Sequence, residues 1–219
     1  MKVLVACEFS GIVRDAFIES GHDAMSCDLI ASERPGPHYQ GDVRDLDLSE
    51  YGLMIAHPPC THLAVSGARW FREKQKEQGE ALEFVRFLLA APIKRIALEN
   101  PVSIISSRIR KPDQIIQPWQ FGHGEVKGTC LWLKGLSLLR ATDIVIGRDP
   151  RVWHASPGPD RWKERSRILP GIAKAMAQQW GAGACQEDFL TQLVFPVGAR
   201  ESVILPSHVL GSGRINSCR

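Results

Sequence analysis

Two short stretches carry residue types that can do covalent chemistry together. His57-Pro58-Pro59-Cys60 ends one apolar run, and Glu99-Asn100-Pro101 ends another. A cysteine is by default a small, buried, inert side chain. At position 60, however, two prolines fix φ and remove backbone donors, which stiffens the segment that carries the thiol. A thiol and a carboxyl held in one pocket suit attack on a base ring that must be protonated or polarised as the bond forms. Cys60 and Glu99 are therefore the candidate catalytic residues. His57, Cys60 and His62 are an alternative metal-ligand set. No further ligand pair has zinc spacing, so no metal is expected.

Those residues need elements to hold them. Residues 2–7 (KVLVAC), 22–29 (HDAMSCDL), 51–57 (YGLMIAH) and 94–101 (KRIALENP) read as strands. Residues 12–21 read as a helix ending at Gly21, and residues from about 72 to 91 as a second helix. Residues 30–46 are loop-rich, with Pro35, Gly36, Pro37 and Gly41. Further on, strands are expected near 129–133 and 141–147, a basic aromatic surface loop over 151–167, and a helix over 167–181. Alternating strands and helices, with polar groups just past each strand, are the layout of an open, mostly parallel α/β sheet. Such sheets bind ligands at the carboxyl ends of their strands.

On that sheet EFSG (8–11), CDL (27–29), GDV (41–43), HPPC (57–60) and ENP (99–101) fall along one edge. Gly11 would let the backbone approach a ligand closely. Asp28, ending the second strand, is placed to accept hydrogen bonds from a ribose diol. Asp42 is placed to accept one from an adenine amino group. Taken singly, Gly11 fits a plain turn as well, and Asp28 and Asp42 fit solvated loop carboxylates. The order and spacing of the five stretches together are the stronger signal.

The chain has 219 residues, 44% hydrophobic and 23% charged, with a formal net charge of +3, which fits one globular domain. The mild positive charge permits a nucleic-acid partner without demanding one. Six cysteines at 7, 27, 60, 130, 185 and 218 form no CxxC pair. Without a signal peptide or a membrane-length apolar run, the expectation is a cytoplasmic protein with free thiols and no membrane partner. Residues 1–183 are read as the functional domain. From about Ala184 the character changes to scattered apolar runs with a Gly/Ser end, read as an appendage.

With these motifs the chain resembles a small, divergent member of the cytosine-5 DNA methyltransferases, of the kind carried by phages and prophages. Phe9-Ser10-Gly11 resembles the family's Phe-x-Gly cofactor loop, Asp28 its second-strand acid, and Gly41-Asp42-Val43 its third cofactor motif. Pro58-Pro59-Cys60 is similar to its Pro-Cys nucleophile motif, and Glu99-Asn100-Pro101 to its Glu-Asn-Val motif. The likeness covers roughly residues 1 to 181. It implies a Rossmann-like class I methyltransferase fold with helices on both faces of the sheet. It also implies S-adenosylmethionine as cofactor, bound by Phe9, Ser10, Gly11, Asp28, Leu29, Asp42, Val43 and Pro59. The implied substrate is a cytosine flipped out of DNA. Cys60 would add to ring carbon 6 while Glu99 bonds ring nitrogen 3 and the exocyclic amine, so that carbon 5 takes the methyl group.

An aromatic residue in place of Cys60 would instead mark amino-group methyltransferases, where it stacks on the base. Departures from the family pattern are also legible. Val13 and Arg14 stand where the cofactor loop continues with glycines, Thr61 follows the nucleophile in place of Gln, and Ser166 stands where an Asn precedes the last helix. Glu125-Val126-Lys127-Gly128-Thr129 is the counterpart of the base-contacting Gln-x-Arg-x-Arg strand. No long target-recognition segment separates Pro101 from the final helix. Asn100, Arg69, Arg108, Arg110 and Lys127 are candidate DNA contacts, with further cations at Arg72, Lys111, Arg161, Lys163, Arg165 and Arg167 near Trp162. A monomer is expected. A catalytically silent DNA-binding relative and an enzyme acting on free pyrimidine nucleotides remain as alternatives.

Overall fold

The computed structural model describes residues 1–150, 158 and 161–182. The expected appendage at 184–219, and most of the loop expected from 151 to 160, lie outside the described residues.

Seven strands form one sheet: β1 (Lys2–Ala6), β2 (Asp23–Asp28), β3 (His38–Gln40), β4 (Leu53–Ala56), β5 (Arg95–Pro101), β6 (Gln114–Ile116) and β7 (Thr129–Lys134). Their order is β3-β2-β1-β4-β5-β7-β6. The first five in that order are parallel, and β7 runs antiparallel to both β5 and β6. The described helices are α1 (Ile12–Glu19), α2 (Gln75–Ala90), α3 (Ile105–Arg108), α4 (Arg161–Ser166) and α5 (Pro170–Gly181).

Side chains alternate across the strands, and this period of two makes two cores. Val3 and Val5 of β1 with Leu53 and Ile55 of β4 pack against Val13 and Phe17 of α1 and Ala173, Met176 and Trp180 of α5. Leu4, Ala6, Met54 and Ala56 face the other way, onto Leu82, Val85 and Leu88 of α2. The fold is thus a Rossmann-like, mostly parallel α/β sheet with helices on both faces. Among the described residues no helix is long and apolar enough to cross a membrane.

Five local expectations change. The 30–46 segment contains β3, a three-residue edge strand paired at Ser26–Asp28, and β6 is another three-residue strand where no strand was expected. Strands that short carry too little periodicity to be seen in sequence. Residues 141–147 form no strand: Asp143 makes only an isolated bridge to Phe121, and Ile146 is 96% exposed. Residues 161–166 are helical, and α5 starts at Pro170 instead of 167 because proline suits the first helical turn.

Candidate active site

The parallel register pairs Ala56 with Leu98, so His57 follows beside Glu99 and Pro58 beside Asn100. The His57 backbone N–H donates to Ala6 O at 2.9 Å, which extends the β4–β1 ladder by one bond. Its imidazole Nδ1 lies 3.1 Å from Oε2 of Glu99, and both side chains are more than nine-tenths buried. Proline supplies no N–H, so the Pro58-Pro59 loop offers only carbonyls to its neighbours. Asn100 Nδ2 donates to one of them, Pro58 O, at 2.8 Å.

Past the prolines, Cys60 O accepts from Leu63 N at 3.0 Å and Ala64 N at 2.9 Å, a turn that closes on the Cys60 backbone. Val65 N donates to Val102 O at 3.1 Å and Ile104 N to Leu63 O at 3.0 Å. The loop after β4 and the loop after β5 are therefore joined along their length. Cys60 itself is partly buried. Burial pushes its thiol above the ordinary range and the Glu99 charge adds to this, while Lys127 and Arg165 pull the other way. The thiol form is therefore favoured over the thiolate.

Pro59 also belongs to the wall of a cavity of about 250 Å³. Asp28, Leu29, Asp42 and Val43 line it too, so five of the eight expected cofactor residues meet in one place. Burial raises the Asp28 carboxyl, opposed by the backbone N–H groups of Ile30 and Leu29. The Ile30 N–H lies 3.2 Å from one Asp28 oxygen. Cys7 and Cys27 share the wall. Cys7 stands in the left-handed region at φ 59, and burial pushes the Cys27 thiol up to about 12. Asp42 is less open than its position promised. It accepts from the Arg44 backbone N–H and from Nε, both at 2.9 Å, and from Nη2, and these bonds hold its carboxyl below the usual range. Arg44 in turn lies over Phe84 on α2, at 5.8 Å from the ring centroid.

Phe9, Ser10 and Gly11 are not in that wall. Phe9 is buried under Trp162, with ring centroids 5.7 Å apart at 56°, and under Arg167 at 6.0 Å. Arg167 is anchored by a two-pronged ion pair with Glu33. Ser10 Oγ donates to Glu8 at 3.0 Å. The Glu8 carboxylate also accepts from Val13 N at 2.7 Å and Arg14 N at 3.2 Å, so it caps α1 from inside the protein. A free helix N-terminus attracts anions; here Glu8 already fills that place. Neither Glu8 nor the cap over Phe9 has a sequence signal beyond an acid before a glycine turn and a Trp in a basic run.

Arg14 is a fully buried guanidinium. It donates to Ser26 and Ser32 hydroxyls at 3.3 and 3.1 Å and to Pro35 O at 2.9 Å, and pairs with Asp15 at 2.7 Å. A Cβ at Gly11 (φ 72) would lie 2.6 Å from Arg14 Nη2, and one at Gly36 (φ 141) 2.8 Å from its Cζ. Both glycines therefore make room for this side chain. The segment from Gly11 to Gly36 is thus packed around one buried guanidinium.

The expected DNA contacts separate into groups. Asn100 is buried and holds the Pro58 loop, although its Oδ1 has no partner among the described residues. Arg110 is used internally, bonding Asp113 at 2.7 Å and Leu133 O at 2.9 Å. Lys127 donates from Nζ to Arg167 O at 3.1 Å, yet its charge still reaches Cys60. Arg69 sits in the turn after Cys60 and Arg108 at the end of α3, both on the surface. Among the described residues no group of three or more His, Cys, Asp or Glu is placed to hold a metal ion.

No family model and no curated protein matches the chain. Among solved structures, it is similar to a prophage-encoded protein of E. coli named as a DNA modification methyltransferase. The identity is 14% and the TM-score 0.44, over 66% of this chain. This chain spans about half of that protein (52%), a likeness too low to carry an argument of its own.

Proposed function

We propose that residues 1–183 form an S-adenosylmethionine-dependent DNA methyltransferase acting on carbon 5 of cytosine. The observation that carries this reading is the single loop His57–Cys60. Pro59 lines the cavity, and Cys60 follows it in a loop that is tied to Glu99 through His57 and to Asn100 through Pro58 O. A cavity of about 250 Å³ with a carboxylate at Asp28 fits a nucleoside: Asp28 would accept from the ribose hydroxyls while Leu29 and Val43 bound the base. Asp42 would join them once Arg44 turns aside. Bound there, S-adenosylmethionine supplies an electrophilic methyl group.

The chain's own residues do the rest. Cys60, as thiolate, adds to ring carbon 6 of a flipped cytosine, and Glu99, protonated from solvent as the base binds, gives that proton to ring nitrogen 3, so electron density arrives at carbon 5. After methyl transfer the carbon 5 proton leaves to solvent. The sulfur then departs, and the nitrogen 3 proton returns to Glu99. A thiol suits this because it must both add and leave. Lys127 and Arg165 favour the thiolate. Arg108 is a surface cation that would meet phosphate.

Duplex DNA carrying 5-fluorocytosine tests the reading, with labelled S-adenosylmethionine present. A covalent adduct that maps to Cys60 and disappears in Cys60→Ser is the expected result. DNA binding without adduct or label transfer would favour the silent relative, and transfer to dCMP but not to DNA the nucleotide enzyme.

A further inference from the structure

The His57 imidazole has no part in the chemistry so far, yet its position is built with care. It follows β4 directly, is more than nine-tenths buried, and meets Glu99, which is 42 residues away in sequence. Whether Glu99 is ionised or carries its proton on Oε1, Oε2 only accepts, so the bond at 3.1 Å requires the proton on Nδ1. That tautomer leaves Nε2 as an acceptor, and Nε2 is buried with no partner among the described residues. A buried polar atom without a partner calls for a reason. Here the gain is on the other side of the ring, where Nδ1–H is directed at the carboxyl beside the nucleophile.

We propose that His57 is a positioning residue for the reaction at Cys60 and Glu99. Its Nδ1–H commits Oε2 of Glu99 and so leaves Oε1 to meet the substrate ring. It also stabilises the carboxylate formed when Oε1 releases its proton. The step balances: as the Cys60 sulfur bonds carbon 6, the Oε1–H bond breaks and the N3–H bond forms. When the sulfur leaves, that proton returns to Oε1. His57 keeps its own proton throughout, and its hydrogen bond strengthens as charge develops on Glu99. The two prolines that follow keep the imidazole and the thiol at a constant offset. The proposal rests on the methyltransferase reading, and its test separates the two.

The test compares the wild type with His57→Phe, which keeps the ring volume without a donor, and with His57→Asn, whose amide stands near the Nδ1 position. Each is incubated with S-adenosylmethionine and mixed-sequence duplex DNA containing cytosine or 5-fluorocytosine, and thermal melting is recorded alongside. His57→Phe is expected to lower kcat and the rate of Cys60 adduct formation about 10- to 100-fold, the worth of one hydrogen bond to a charged group. KM for DNA should stay within about twofold, because the interaction strengthens only in the transition state. His57→Asn should recover most of the rate at an unchanged melting temperature. A folded His57→Phe with wild-type kcat, or a folded His57→Asn as slow as His57→Phe, overturns the positioning role alone. A wild type that forms no adduct overturns the methyltransferase reading, and this role with it.

Discussion

The edge formed by the strand ends has two halves, and they treat polar groups in opposite ways. Past β1, β2 and β3 the buried polar side chains are satisfied by one another. Glu8 accepts from Ser10, Val13 and Arg14, Arg14 bonds Ser26, Ser32 and Pro35, and Ser26 also meets His38 at 2.9 Å. Past β4 and β5 the buried polar atoms are left open: His57 Nε2, His62 Nδ1, Asn100 Oδ1 and Ser103 Oγ all lack partners among the described residues. The first half is a finished scaffold whose hydrogen bonds hold loops in place. The second half retains hydrogen-bonding capacity around a thiol, which folding alone does not require and a bound ligand would use.

Substitutions should therefore separate rate from stability along this boundary. On the reactive half, Glu99→Gln should lower transfer by about 10²- to 10⁴-fold, the usual contribution of a positioned proton donor, with little change in melting temperature. An equal loss of stability would erase the distinction between the halves. On the scaffold half, Arg14→Leu should cost about 3 kcal/mol or more of stability, read by chemical denaturation. It takes the Arg14 partner from Pro35 O and removes one partner each from Ser26, Ser32, Arg34 O and Asp15. Cys60 alkylation in the protein that remains folded should be unchanged. Asp28→Asn, at the junction, should weaken S-adenosylmethionine binding about tenfold by calorimetry, because the amide keeps the shape but loses the charge that strengthens a ribose hydrogen bond.

A finer measurement concerns Cys60 itself. Its thiol is raised by burial and by Glu99, so iodoacetamide labelling should be slow at pH 7 and climb with pH beyond the ordinary thiol range near ~8.5. Glu99→Gln removes a negative neighbour and should speed labelling at pH 7, whereas Lys127→Ala removes a positive one and should slow it. Changes of the same sign in both variants would mean that burial alone sets the thiol.

Much of the fold was legible because apolar alternation states which face of a strand is buried. Val3/Val5 against Leu4/Ala6, and Leu53/Ile55 against Met54/Ala56, already divide into the two cores that the helices cover. β3 and β6 were not legible, since three residues hold no period. Ile144 and Ile146 mimicked a strand because exposed apolar residues in a loop carry the same local pattern.

For the site, residue type and position past each strand pointed to Cys60, Glu99 and Asp28 as candidates, since that reading depends on local stiffness and on the general geometry of parallel sheets, whereas Pro59 entered only through the resemblance. Which side chain takes which partner was beyond the sequence. The His57–Glu99 bond depends on the register of β4 against β5, the capture of Asp42 depends on Arg44 competing for it, and the burial of Phe9 depends on Trp162 arriving from 153 residues later. Local sequence encodes the preference of a segment. The competition among distant polar groups for a limited set of partners is decided only when tertiary packing sets their distances.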